Sequence, residues 1–242
     1  FPTEKNILES YNDWQESPQG KQLHSKDFKE FKKIYFWEYI HRMIGRLLGL
    51  VFIIPFIYFL VKRKLNRKLI SQSLVLFSMG ALQGAIGWWM VKSGLVDKPH
   101  VSHFRLAAHL LTALSVMVYI LWVIMDIVYP NRESVHVKGL KIAAWVLLIL
   151  IILQITYGAF VAGLKAGFMY NTFPKMGANW IAPEVGEGGF ASLFSHGATV
   201  QFIHRALGII LMLIAPLFWI WARRQNVVGR QNRGLIFLNV SV

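Results

Sequence analysis

Residues 36–61 read FWEYIHRMIGRLLGLVFIIPFIYFLV, and this run decides what kind of protein the chain is. It is long enough to cross a bilayer, for which ~20 predominantly apolar residues suffice. At its mouth stand Glu38 and His41. An ionisable side chain inside a span costs on the order of 2.5–3.5 kcal/mol on insertion scales, so such residues face a cavity or a partner. The motif EYIHRMIGR of residues 38–46 returns as QFIHRALG at 201–208, which points to a duplicated architecture.

Further apolar stretches occupy residues 70–91, 104–128, 140–163 and 199–222, and a sixth runs from 234 to Val242. The composition, 55% apolar and 16% charged over 242 residues, fits an all-α polytopic membrane bundle and no soluble domain. Because the sixth stretch stops at Val242, the expectation is a chain that ends inside a membrane helix with a remainder beyond it. There is no cysteine, which excludes disulfides, thiolate metal sites and covalent c-type heme attachment. The first 35 residues are polar and contain no apolar core of a cleavable signal.

The formal net charge of +14 raises the question of nucleic acid, and the positions of the charges answer it. Lys62, Arg63, Lys64, Arg67 and Lys68 follow the first stretch, Arg132, Lys138 and Lys141 the third, and Arg223, Arg224, Arg230 and Arg233 the fifth. The alternate loops carry only Lys92 and Lys98, then Lys165 and Lys175. The excess therefore reads as topology, with the basic loops on the cytoplasmic or matrix side and the amino-terminal segment outside. No nucleic-acid partner is expected.

Three regions follow: a polar outer segment at 1–35, first-half helices at 36–130 and second-half helices at 131–242. In the outer segment Ile7, Leu8, Tyr11 and Trp14 fall at helical spacing and predict a short amphipathic helix lying on the membrane surface, ending at Ser17-Pro18-Gln19-Gly20. Ser25 is the expected N-cap of a helix that Phe28, Phe31 and Tyr35 lead into the first span.

This topology puts His41, His109 and His204 each about five residues into a span from the outer side, roughly 7 Å deep at 1.5 Å per residue. Glu38, His41, Gly45 and Gly49 share one helix face. Small residues beside a histidine let a flat macrocycle approach the helix, although they also serve ordinary helix packing. Gly80, Gln83, Gly84 and Gly87 form a comparable face, as do Gln154, Gly158 and Ala162. His41 and His109 suit opposite ligation of a heme iron. Zinc, which takes three or four protein ligands, is less well served by two histidines. Arg42, Arg46, Arg105 and Arg205 flank the histidines and can bind heme propionates, or else snorkel to headgroups. Between the two copies Glu38 is replaced by Gln201, so a group able to exchange protons stands in one half only. A Glu38–Arg42 salt bridge at i,i+4 is the structural alternative for that acid.

EYIHRMIGR, Gln83 and Gly84 with GWWMVKSGL at 87–95, VSHFRLAAH at 101–109, GAFVAGL at 158–164, YNTFPKMG at 170–177 and QFIHR at 201–205 together resemble the heme A synthase family of the mitochondrial and alphaproteobacterial, cysteine-free type. The resemblance covers residues 36 to about 210 in the family's order. It implies two pseudo-symmetric four-helix halves, of which about five and a half helices are present, and oxidation of a ring methyl of heme O to the formyl of heme A for cytochrome oxidase assembly. On that resemblance Glu38 is the catalytic carboxylate, His41 and His109 are the iron ligands of the substrate heme, and His204 is one ligand of a cofactor heme b. Arg42, Arg46, Arg105, Arg205 and Gln83 are then propionate or pocket residues. Lys165 departs from the family, whose loop is expected to carry an acid there.

Iron with two histidines has no open position, so the resemblance leaves two routes: one ligand leaves, or electrons are removed and water captures the oxidised methyl. The implied partners are heme O, a heme O synthase, an electron donor of unidentified kind, the lipid bilayer and a second copy of the chain. The implied location is the mitochondrial inner membrane or the bacterial plasma membrane, with heme sites toward the outer side. A bis-histidine cytochrome b that carries electrons from quinol explains the histidines and arginines equally well, but not an acid in one half only. A transporter with inverted repeats predicts broken helices at mid-bilayer, whereas these glycines cluster nearer the outer level. The long outer loop from Leu164 to Thr199, with Phe173-Pro174-Lys175-Met176 in it, is expected to cap the second site.

Overall fold

The computed structural model describes residues 3–16, 27–96, 101–130, 137 and 139–224. Seven α-helices follow one another: α1 Glu4–Glu16, α2 Phe28–Val61, α3 Arg67–Val96, α4 His103–Val128, α5 Leu140–Gly163, α6 Ser192–Ser195 and α7 Gly197–Arg224. Short 3₁₀ turns at Ala166–Phe168 and Gly189–Ala191 interrupt the loop before α6. Five of the helices (α2, α3, α4, α5 and α7) are long and apolar enough to cross a membrane, so the polytopic all-α architecture stands. The sixth apolar stretch, Ser25 and the expected stop at residues 17–20 lie outside the described residues.

The chain divides into two compact units, Phe1–Arg105 and Leu106–Val242. In the first unit α2 starts eight residues before its apolar run. Asp27 caps it, its carboxylate accepting from the Lys29 amide at 3.0 Å and satisfying one of the orphan donors of the first turn. At 1.5 Å per residue the 34 residues of α2 are about 50 Å long, well beyond the ~30 Å hydrocarbon layer. The extra turns carry a second element. Tyr11 and Trp14 of α1 pack on Phe31 at ring separations of 5.3 Å each, and Tyr11 meets Phe28 edge-on at 5.1 Å. Phe31 is buried in this cluster. Half of the apolar stripe assigned to the membrane surface is therefore covered by α2, because aromatic rings about one turn apart on one helix accept those of the other.

A tight inner turn joins α2 to α3. Arg63 takes a left-handed conformation (φ 52°), and Asn66 accepts from the Leu69 amide at 2.7 Å to begin α3. Phe52 and Phe77 then stack at 6.3 Å between the two helices.

The second unit is built on close approach. Its buried cluster is Ala107, Ala159, Phe160 and Val200, with Leu106, Tyr157 and Phe194 packed around it. Ala159 lets α5 and α7 come near one another, as small residues do where lipid supplies no hydrophobic drive between helices, and Ala107 of α4 joins the same cluster. At the inner end Gly139 adopts φ +83°, and a Cβ there would meet the Trp221 ring of α7 at 3.5 Å. Pro55 and Pro216 lie inside α2 and α7 without ending them, as the lipid-embedded backbone tolerates when neighbours satisfy the freed carbonyl.

Replacing Phe31 by alanine should release α1 from α2. Truncating a buried phenylalanine costs ~3–5 kcal/mol in a core, and the lower end fits a cluster at a unit's edge. Protease cleavage within residues 4–16 should accelerate while the five long helices keep their protection. Unaltered cleavage would show that α1 is held by something else.

Candidate functional site

In the first copy, Glu38 Oε1 accepts from Arg42 Nη2 at 2.8 Å, with both side chains about half exposed. An exposed i,i+4 pair contributes only ~0.3–0.5 kcal/mol, too little to be the reason for an acid at the membrane mouth. One turn further in, Arg46 Nη1 reaches the Met43 sulfur at 3.7 Å. Gly45 and Gly49, on the face of His41, have nothing within 4 Å of where a Cβ would stand, and the same is true of Gly80 and Gly84 on α3. These faces are uncovered, and His41 is exposed along with residues 42–50. Gln83 sits half-buried beside Gly84.

Arg105 is engaged where α4 begins. Its Nη1 donates to the Trp89 carbonyl at 2.8 Å, and its guanidinium carbon lies 4.4 Å from the centre of the Trp89 ring. That cation–π stack ties the start of α4 to the end of α3. His41 lies in the first unit; His109, half-buried on α4, and His204 lie in the second.

In the second copy the glycine notches are filled. A Cβ on Gly158 of α5 would stand 3.1 Å from His204 Cε1, and one on Gly208 of α7 would stand 3.3 Å from Gln154 Nε2. Each helix thus offers a polar side chain to a glycine of the other, four residues apart on both and in opposite order, as antiparallel helices require. The imidazole Nδ1 of His204 is buried with no hydrogen-bond partner, as are Gln154 Oε1 and Gln201 Oε1. A buried polar atom left unpaired carries a cost of ~1–3 kcal/mol. His204 bears that cost at one ring nitrogen, as the two glutamines do at their amide oxygens.

The loop between α5 and α7 is tied down at several points that the sequence alone did not suggest. Gln201 Nε2 donates to the Tyr170 carbonyl at 2.9 Å, and Arg205 donates through Nη2 to that same carbonyl and through Nη1 to those of Thr172 (2.7 Å) and Lys175 (3.2 Å). Thr199 Oγ1 accepts from the Gly186 amide at 3.0 Å and lies 3.2 Å from His196 Nδ1. Gly197 packs against Met169, leaving no room for a side chain. Lys165, the departure noted above, is exposed in a left-handed conformation (φ 54°), where its backbone makes the turn out of α5. The signals for this loop were faint: an amide in place of an acid at 201, and an arginine four residues on.

The Tyr170 hydroxyl donates to Glu184 Oε2 at 2.6 Å. This bond, with partial burial and the neighbouring carboxylate charge, holds the phenol above its ordinary pKa. The same bond, helped by the Glu184 backbone amide and the nearby His196, holds the carboxyl below its ordinary range against the opposing effect of burial.

Among known proteins, the family COX15-CtaA, described as cytochrome oxidase assembly protein, matches residues 1–242. The chain belongs to this family. Curated relatives of the chain are named heme A synthase. That of Nitrosospira multiformis is 42% identical over 233 residues, covering 91% of the chain and 65% of the relative. That of Flavobacterium psychrophilum is 41% identical over 251 residues, covering 100% and 74%. That of Wolbachia pipientis wMel is 40% identical over 220 residues, covering 89% and 63%. The chain spans about two thirds of the length of these relatives. No solved structure matches it.

Two outcomes are expected of this chain. A valine at Gly158 must push the His204 ring out of its notch, an overpacking that costs ~1–3 kcal/mol; the thermal midpoint of the detergent-solubilised protein should fall, and by more than for Gly158→Ala. An unchanged midpoint for the valine variant would mean the ring does not occupy that notch. The second concerns pH. The folded pKa of Glu184 is depressed, so its contribution is complete above the ordinary carboxyl value of about 4.3 and is lost as pH falls through the folded value. The raised phenol works the other way, contributing below about 10 and losing that contribution as pH rises through the folded Tyr170 value. Protection factors of residues 166–190, corrected for intrinsic exchange at each pH, should therefore fall on acidification, and Tyr170→Phe should flatten that pH dependence. Parallel curves for the two proteins would remove Glu184 from the account.

Proposed function

We propose that this protein is a heme A synthase, oxidising a ring methyl of heme O to the formyl of heme A within the membrane. The observation that carries the reading is the unequal fate of the two copies of the motif. Glu38 stands on one face with His41 and the uncovered Gly45 and Gly49, whereas Gln201 and Arg205 are occupied by loop carbonyls.

His41 on α2 and His109 on α4 are the iron ligands of the substrate heme in this reading, the roles given by the resemblance. The open glycine face of α2 fits a macrocycle edge against the helix. Turning a methyl into a formyl removes four electrons and adds one oxygen atom, so protons must leave the reacting carbon. In this reading Glu38 accepts them, its carboxylate bonded to Arg42 at 2.8 Å. Arg46 and Arg105 are the propionate candidates, with Gln83 lining the pocket.

The second unit keeps a ligand rather than a reagent. The buried, unpartnered Nδ1 of His204, on a ring seated against Gly158, supports its assignment as a heme ligand. A heme b held there would supply a one-electron relay. The sites lie toward the outer side of a mitochondrial inner or bacterial plasma membrane, with heme O synthase and an electron donor as the partners that deliver substrate and exchange electrons.

Replacing Glu38 by glutamine tests the reading. Removal of a general base slows a reaction by about 10²–10⁴-fold, so membranes carrying Glu38→Gln should retain heme, by pyridine-hemochrome spectrum, while heme O or its alcohol accumulates. Full heme A production would sink the catalytic role of Glu38. Wild-type pigment containing heme B alone would favour the quinol-linked cytochrome b instead.

A further inference from the structure

Gln201 and Arg205 stand four residues apart on α7, as Glu38 and Arg42 do on α2, yet the two pairs are used differently. In the first copy the acid and the guanidinium bond each other. In the second, both side chains turn to one acceptor, the main-chain carbonyl of Tyr170, and Arg205 extends to the carbonyls of Thr172 and Lys175. A glutamate at 201 has no proton to donate to that carbonyl, and it would take Arg205 for itself as Glu38 takes Arg42. Gln201 is only 4% exposed, so water does not replace a lost donor there. The amide at this position is what keeps the arginine free for the loop.

The segment so held is itself firm. Thr172 Oγ1 donates to the Lys175 carbonyl at 2.9 Å and accepts from the Gly177 amide at 2.7 Å, and Met176 is buried at 2% exposure. Gln201 lies one helical turn outward of His204, and Arg205 is the next residue inward. The clamped segment therefore covers the outer end of α7 on the approach to the buried imidazole.

We propose that Gln201 and Arg205 are positioning residues, a two-donor clamp that closes residues 170–177 over the outer end of α7 and sets how far water reaches His204. The proposal rests on reading His204 as a heme ligand. Solvent exposure and burial are among the protein's levers on a heme's reduction potential, so the clamp acts on the cofactor without touching it. A device that only stabilised the fold would leave that potential alone.

Gln201→Glu and Arg205→Lys, prepared as full protein with its heme, provide the test. The lysine variant keeps the charge and loses the fork that serves three carbonyls, so it reports even where a buried glutamate prevents accumulation. Amide hydrogen exchange across 170–177 should rise about tenfold or more in each, as expected for losing charge-assisted or buried hydrogen bonds. The low-spin heme lost in His204→Ala should titrate at a lower potential in both variants, because water favours the more charged ferric form. Faster exchange with an unmoved potential would reduce the clamp to a structural tie and overturn the proposal, as would unchanged exchange. If His204→Ala removes no heme signal from the wild-type background, the cofactor reading fails with it, and the exchange data then separate that failure from a clamp that does not exist.

Discussion

A polar side chain that enters the bilayer must be answered by another group, on the chain or bound to it, because lipid offers no hydrogen bonds. The rest of this structure follows from how each such residue is answered. Glu38 is met by Arg42, Arg105 by the Trp89 carbonyl and ring, and Arg205 by three loop carbonyls. His204 has one ring nitrogen buried and unmet, as Gln154 and Gln201 have an amide oxygen. The duplicated motif uses the same positions for different answers, an ion pair in the first copy and ties to loop carbonyls in the second.

Much of the architecture is legible in the sequence because lipid imposes it. Spans of ~20 apolar residues have few alternatives to a helix, and the stretches at 104–128 and 140–163 coincide with α4 and α5 to within a residue. The start of α2 is less visible by hydropathy. Lys29, Glu30, Lys32 and Lys33 dilute the signal over turns whose helicity rests on Asp27 and on the contacts of Phe28 and Phe31. The membrane-surface expectation for α1 missed those contacts for the same reason. An amphipathic stripe says that a face is covered, not by what.

The candidate site divides along similar lines. The spacing of Glu38, His41, Gly45 and Gly49 is a helical fact and was readable from their numbers. The loop contacts were not. Arg205 finds its acceptors 30 and 33 residues away, and all of them are main-chain carbonyls, which carry no mark in the sequence. The glycine notches were read as packing or cofactor faces without distinction. Only coordinates separate Gly45, beside open space, from Gly158, beside an imidazole.

The two filled notches also fix the axial register of α5 and α7. With His204 seated at Gly158 and Gln154 seated at Gly208, sliding either helix along the other by one turn of ~5.4 Å would drive both side chains out of their recesses together. A single knob would leave rotation about itself free; two, pointing in opposite directions, remove it. The pair works like a two-tooth gear stopped in mesh. The depth of the His204 imidazole in the membrane is thus set by contacts between spans, and a disturbance of the loop above can change its surroundings without changing its height.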